Sequence, residues 1–294
     1  MNVKRVLTGV IGFPLVILLL VFSNKYIIDV VATIIACIAL HEYFNACSKE
    51  VKNLSWIGYI LAIGMTFIHI VNTKIALMSL AILMPIILLI LFLHIIISDM
   101  KISLKDIAYS SLGIFYVITF IIFIPLIYGI GDTTKLSFLK ENSFADTVVK
   151  FYQNTIVPGK YLILYLIFTS WGSDTFAYCI GKHFGRHKFS KVSPNKTVEG
   201  CLAGVFGAVL LSIIYTIVIN NNLNFGISYL KIGIAAAIFC IIGQIGDFAA
   251  STIKRHFDIK DFGNLFPGHG GMLDRIDSVM FIAPFAFCMF TFIL

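Results

Sequence analysis

A chain of 294 residues that is 59% apolar and only 13% charged, with a mean hydropathy of +0.95, holds too little polar sequence to coat a soluble globule of its size. No polar stretch is longer than about thirty residues, which excludes a separate soluble domain. The formal charge of +7 rests on 22 Lys and Arg against 15 Asp and Glu. That excess reads first as membrane topology and second as attraction to anionic lipid headgroups, and we expect no nucleic-acid partner.

Taken in order, the apolar stretches are 7–22, 26–46, 56–71, 75–97, 107–128, 161–180, 198–219, 229–250 and 278–294. Most approach the ~20 residues that a bilayer-crossing helix needs. Helix is the expected form, because backbone groups in lipid must pair within their own segment. The alternation of barrel strands is absent. The expected fold is therefore all-α: a polytopic integral membrane protein of about nine transmembrane helices. The first stretch follows Lys4 and Arg5 as a signal peptide would. Phe22-Ser23-Asn24-Lys25 offers no small-x-small cleavage site and a second stretch starts at once, so a retained helix is expected.

With nine spans, the N-terminus and the loops near 47–55, 98–106, 181–197 and 251–277 share one side. That side holds fifteen of the Lys and Arg, and the other holds seven. The expected N-terminus is cytoplasmic and the expected location is the cell (inner) membrane. Residues 1–160 form an N-terminal region of about five spans with an extracytoplasmic loop near 130–160. Residues 161–294 form the expected catalytic membrane region, with cytoplasmic loops 181–197 and 251–277. The six cysteines include no CxxC pair and read as small buried hydrophobes.

Two polar segments interrupt the later spans. The first, 171–200, places Ser173 and Asp174 at membrane depth, where an ionisable group faces protein or water. It continues with Lys182, Arg186, Lys188, Lys191 and Lys196 among glycines. Cations and glycine-exposed backbone N–H groups suit a polyanion, although a basic loop alone is more often a topology determinant. The second segment, 246–278, carries five of the fifteen acids: Asp247, Asp258, Asp261, Asp274 and Asp277. If its start is helical, Asp247, Ser251 and Lys254 line one face, followed by Arg255. Gly263, Pro267-Gly268 and Gly270-Gly271 break the chain. Asp274 and Asp277, three apart with Arg275 between them, then share a face. A lone Asp there would read as a helix cap. Two carboxylates with a third upstream fit magnesium, which takes oxygen ligands together with substrate phosphates. Residue chemistry thus reaches phosphoryl or nucleotidyl transfer at a membrane site.

The run Ser251, Lys254, Arg255, Lys260, Asp261, Gly263, Pro267, His269, Gly270, Gly271, Asp274, Arg275, Asp277 resembles the signature of the phosphatidate cytidylyltransferase (CDP-diacylglycerol synthase) family. The upstream residues Ser173-Asp174-Thr175, Ala177-Tyr178, Phe184-Gly185, Ser193-Pro194, Lys196-Thr197 and Glu199-Gly200 resemble it too. Two positions depart: Ala250 stands where many members have Glu, and Asn195 where Lys is frequent. The resemblance is specific from about residue 171 onward. It implies CTP + phosphatidate → CDP-diacylglycerol + pyrophosphate, with Mg²⁺ and a monovalent cation such as K⁺, in phospholipid biosynthesis, and a homodimer.

On that resemblance Asp247, Asp274 and Asp277 are expected as metal ligands, with Ser251 nearby. Lys254, Arg255, Arg275, Lys182 and Lys196 are candidate phosphate contacts, and His269 a phosphate donor or an organiser of the glycine loop. Gly270 and Gly271 let backbone approach the phosphates, and Ser173 and Asp174 are expected to hold substrate or to shape the polar cavity. A CTP-dependent lipid kinase and an ion-coupled transporter are the alternatives; a CDP-alcohol phosphotransferase is disfavoured by the lack of a DxxDGxxAR run.

Overall fold

The computed structural model describes residues 3–48, 50–52, 54–71, 73–97, 102–130, 157–190 and 192–292. Of the expected extracytoplasmic loop near 130–160, residues 131–156 lie, like Lys191, outside the described residues. The described chain is helical, with α1 (Val3–Phe22), α2 (Lys25–Cys47), α3 (Ser55–Val71), α4 (Thr73–Ile97), α5 (Leu104–Ile114), a π-helical turn (Phe115–Thr119) and α6 (Phe123–Tyr128). It continues with α7 (Gly159–Phe184), α8 (Val198–Leu223), α9 (Tyr229–His256) and α10 (Leu273–Phe292). Among the described residues β-pairing is limited to two isolated bridges, Lys188–Thr197 and Phe266–Gly270.

Among the described residues, four helical segments are long and apolar enough to cross a membrane: α2, the continuous Leu104–Tyr128 segment, α8 and α9. Their outward faces carry exposed Leu202, Phe206, Leu230, Ile241 and Ile245, apolar side chains that only lipid or another protein would cover. The protein is an all-helical membrane protein. Three expected boundaries of the polar loops move: α7 runs on to Phe184, α9 runs on to His256, and α10 starts at Leu273. The polar loops therefore begin at 185 and 257, and Asp247, Ser251 and Lys254 stand on a helix.

The chain divides into two compact units, Met1–Leu126 with His256–Arg275, and Ile127–Arg255 with Ile276–Leu294. In the first unit, α2 and α3 are joined by the buried Asp29–His69 pair at 2.8 Å. The Tyr43 ring fills the space above Gly113, and its hydroxyl donates to the Tyr109 carbonyl at 3.0 Å. Ser103 and Asp106 form a capping box that starts α5, and Asp106 also accepts the Lys52 N–H at 2.7 Å. The 257–272 loop belongs to this unit. Phe257 packs on Tyr109, whose hydroxyl is 2.6 Å from His256 Nε2.

In the second unit, α7 and α8 approach through glycine. A Cβ at Gly207 would strike the Phe176 ring, and Gly181 and Gly200 face each other. Small residues at such crossings let helices pack by close contact, the favoured mode where lipid supplies no hydrophobic drive. Thr169–Ser212 (3.0 Å) and Tyr165 hydroxyl to the Ile232 carbonyl (2.9 Å) pin α7 to α8 and α9. Gly243 and Gly246 of α9 give room to Ile282 and Phe281 of α10.

Candidate active site

The first unit builds the glycine loop and the start of α10. A helix begins with four N–H groups that lack intrahelical partners. Here a carboxylate from α2 takes two at the start of α10, and Asp274 takes two from the loop before it. Asp274, 6% exposed, accepts the N–H groups of Phe262 (2.8 Å) and Gly271 (2.9 Å), both on Oδ2. Glu42 of α2, also 6% exposed, accepts those of Met272 (2.9 Å) and Leu273 (2.8 Å). Gly268 and Gly270 hold φ of 81° and 84°, values that favour glycine. Between them His269 is half-buried in a turn closed by its N–H to the Phe266 carbonyl at 2.8 Å. Gly271 is glycine for another reason: a Cβ there would collide with the Glu42 carboxylate, and the same holds at Gly263. The Gly271 N–H, expected to approach phosphate, is given to Asp274. Arg275 is exposed, as is Lys260.

The second unit gathers charges around α9. Asp277, 7% exposed, has Asp247, Lys254 and Asp174 as its charged neighbours. Its Oδ1 accepts the Ser278 N–H at 2.7 Å. Gly246 allows the backbone at Asp277 to lie against α9. Ser251 and Lys254 are buried and Arg255 is exposed. Lys196 forms an ion pair with Asp247, and its ammonium sits 4.5 Å from the centroid of the Phe248 ring. Phe248 stacks on Phe189 at 4.8 Å, which docks the basic loop onto α9. Thr197 caps α8 through the Gly200 N–H, and Glu199 accepts from the backbone of Arg186 and His187, so the loop is tied at its root.

Of the expected residues, Asp247, Asp277, Lys254, Lys196 and Asp174 are thus assembled in one unit, and Asp274, His269, Gly270 and Gly271 in the other. Ser173 is buried against Cys240 Sγ at 3.0 Å, a helix-packing contact. Lys182 lies over the Tyr178 ring at 5.8 Å. Among the described residues no three His, Cys, Asp or Glu form a ready metal cage. The donor set is nevertheless of oxygen type: two like-charged carboxylates, one of them buried, with a single buried lysine. Such a pair fits a hard cation that completes its shell with water and phosphate oxygens. Glu42 is the residue that sequence reasoning left unassigned; its signal was an ionisable group inside an apolar span.

A helical membrane protein that buries acids and a lysine near helix ends is of the class that handles charged substrates at a bilayer. A profile of the Cytidylyltransferase family matches residues 3–293. A Staphylococcus aureus (strain COL) protein named phosphatidate cytidylyltransferase is 31% identical over 284 residues, covering 95% of each chain. Its Staphylococcus haemolyticus namesake is 36% identical over 169 residues, 55% of this chain and 64% of that one. A protein of the same name from Bacillus subtilis (strain 168) is 40% identical over 130 residues, 44% of this chain and 47% of that one. The chain belongs to the cytidylyltransferase family.

Proposed function

We propose that the protein is a phosphatidate cytidylyltransferase, forming CDP-diacylglycerol and pyrophosphate from CTP and phosphatidate. The observation that carries this reading is the buried Asp277 beside Asp247 and Lys254, in a chain matched to the family from residue 3 to 293. A phosphate oxygen of phosphatidate attacks the α-phosphorus of CTP, the bond to the β-phosphate oxygen breaks, and pyrophosphate leaves. The nucleophile is already anionic at neutral pH, so the barrier is the meeting of two polyanions, and charge neutralisation is what the site must supply.

Asp277, Asp247 and Asp274 would hold Mg²⁺, which when bound neutralises phosphate charge and orients the triphosphate. Lys254, Arg255 and Arg275 supply positive charge to the phosphates. Lys196 is held in place by Asp247 and leaves it for a phosphate when substrate arrives. His269 donates to a phosphate from the glycine turn. Ser251 lines the same face of α9 as Asp247. Asp174 is the third acid near Asp277, and Lys182 extends the basic rim. Gly270 contributes turn geometry, and Gly271 leaves room for Glu42. Ser173 supports α7 against α9. The reading includes nine spans, a cytoplasmic N-terminus and cytoplasm-facing site from the Lys and Arg imbalance, a cell-membrane location, K⁺ as companion ion and a homodimer.

The test is purified protein with phosphatidate and CTP labelled at either the α or the γ position, followed by thin-layer analysis. Label from the α position should enter lipid with one pyrophosphate released per lipid formed. Label from the γ position in lipid would instead define a lipid kinase. No transfer from either position, with solute flux in vesicles, would define a transporter.

A further inference from the structure

Glu42 lies on α2, 230 residues before the loop that it holds. It is buried, and its two oxygens accept the N–H groups of Met272 and Leu273. Among the described residues no Lys, Arg or His forms an ion pair with it. Burying a carboxylate without a cation is costly. A neutral Ser or Asn would cap a helix as well for stability alone. The arrangement therefore places an acid where a neutral cap would also satisfy the backbone. The neighbouring bonds show what the charge accompanies. Gly271 donates to Asp274, and Met272 and Leu273 donate to Glu42, so three consecutive N–H groups draw two buried carboxylates to one helix end. The helix dipole favours both. Gly263 and Gly271 are bare on the sides where the Glu42 carboxylate lies, so the loop is shaped around it.

We infer that Glu42 is a positioning residue for cytidylyl transfer: it fixes the start of α10, aims Asp274, and adds negative potential that draws a divalent cation to that helix end. This rests on the reading of Asp274 as a metal ligand. The same carboxylates occupy the Gly271, Met272 and Leu273 N–H groups that a phosphate would otherwise take, so the triphosphate is left to side-chain donors.

The experiment compares full-length wild type with Glu42→Gln and Glu42→Asp in three measurements: steady-state kinetics, Mn²⁺ binding by electron paramagnetic resonance without nucleotide, and thermal unfolding. Glu42→Gln should lower kcat at least tenfold, leave KM for CTP within threefold, and raise the Mn²⁺ half-saturation at least fivefold. Glu42→Asp keeps the charge on a shorter arm and should recover most of the Mn²⁺ affinity. Unchanged Mn²⁺ binding and kcat in Glu42→Gln overturns the inference. So does a loss confined to folded yield with normal activity per folded molecule, or failure of both variants to fold. If wild type itself transfers no cytidylyl group, the proposed function fails while the Mn²⁺ comparison still scores Glu42.

Discussion

Asp274 offers the sharpest separation of a structural from a catalytic role. Two backbone N–H groups, those of Phe262 and Gly271, donate to one of its oxygens, Oδ2. Asp274→Asn can place its single carbonyl oxygen there and keep both. At these two bonds it loses the charge assistance, a cost of about 1–2 kcal/mol. Asp274→Ala strands two buried N–H groups, at about 1–3 kcal/mol each. The loop 262–271 should therefore survive the first change and loosen in the second. Activity should fall in both, because the metal role needs the charge. The expected loss in Asp274→Asn is on the order of 10²–10³ in kcat, the scale for removing one group that stabilises transition-state charge. The assay is incorporation of α-labelled CTP into lipid, read beside thermal unfolding of the same preparations. An Asp274→Asn protein that keeps activity within about threefold, while Asp274→Ala unfolds early, would refute the reasoning and leave Asp274 as a loop pin.

Asp277→Asn should abolish transfer while leaving the unfolding temperature unchanged or raised, since it relieves a buried carboxylate facing Asp247 and Asp174; a lower unfolding temperature would show that the charge stabilises the fold. Removing divalent ions with a chelator should stop the reaction and added Mg²⁺ should restore it, as measured by pyrophosphate release; activity that persists would remove the metal from the mechanism. Gly207→Ala pushes a methyl into the Phe176 ring and should destabilise the α7–α8 packing by about 1–3 kcal/mol, seen as a lower midpoint in thermal unfolding.

The helical fold was legible because apolar runs of membrane length leave few other choices, and α2, α8 and α9 fall where hydropathy places them. Boundaries were less so. Lys254 and Arg255 look like loop residues, yet α9 keeps its hydrogen bonds as far as His256. Local sequence does not say where a charged helix end stops. The acids at 274 and 277 were visible from their spacing, and the helix places them at the start of α10. What spacing hid was their different company: Asp274 takes backbone N–H groups in one unit, whereas Asp277 faces side-chain charges in the other. Gly271 shows the same limit. Its type was readable as a need for close approach, but the visitor is a side chain from α2, and only a fold brings residue 42 to residue 271.

The distance along the chain between Glu42 and its partners has a consequence for biogenesis. A ribosome adding about 5–20 residues per second needs roughly 10–50 s to travel the 230 positions from this carboxylate to Met272. During that interval α2 is already made, and the groups that will satisfy its acid do not yet exist. Until then the acid lacks the two N–H groups that hold it in the finished chain. Closure of this contact is thus a late event in assembly, open only to a chain that has been made as far as Leu273.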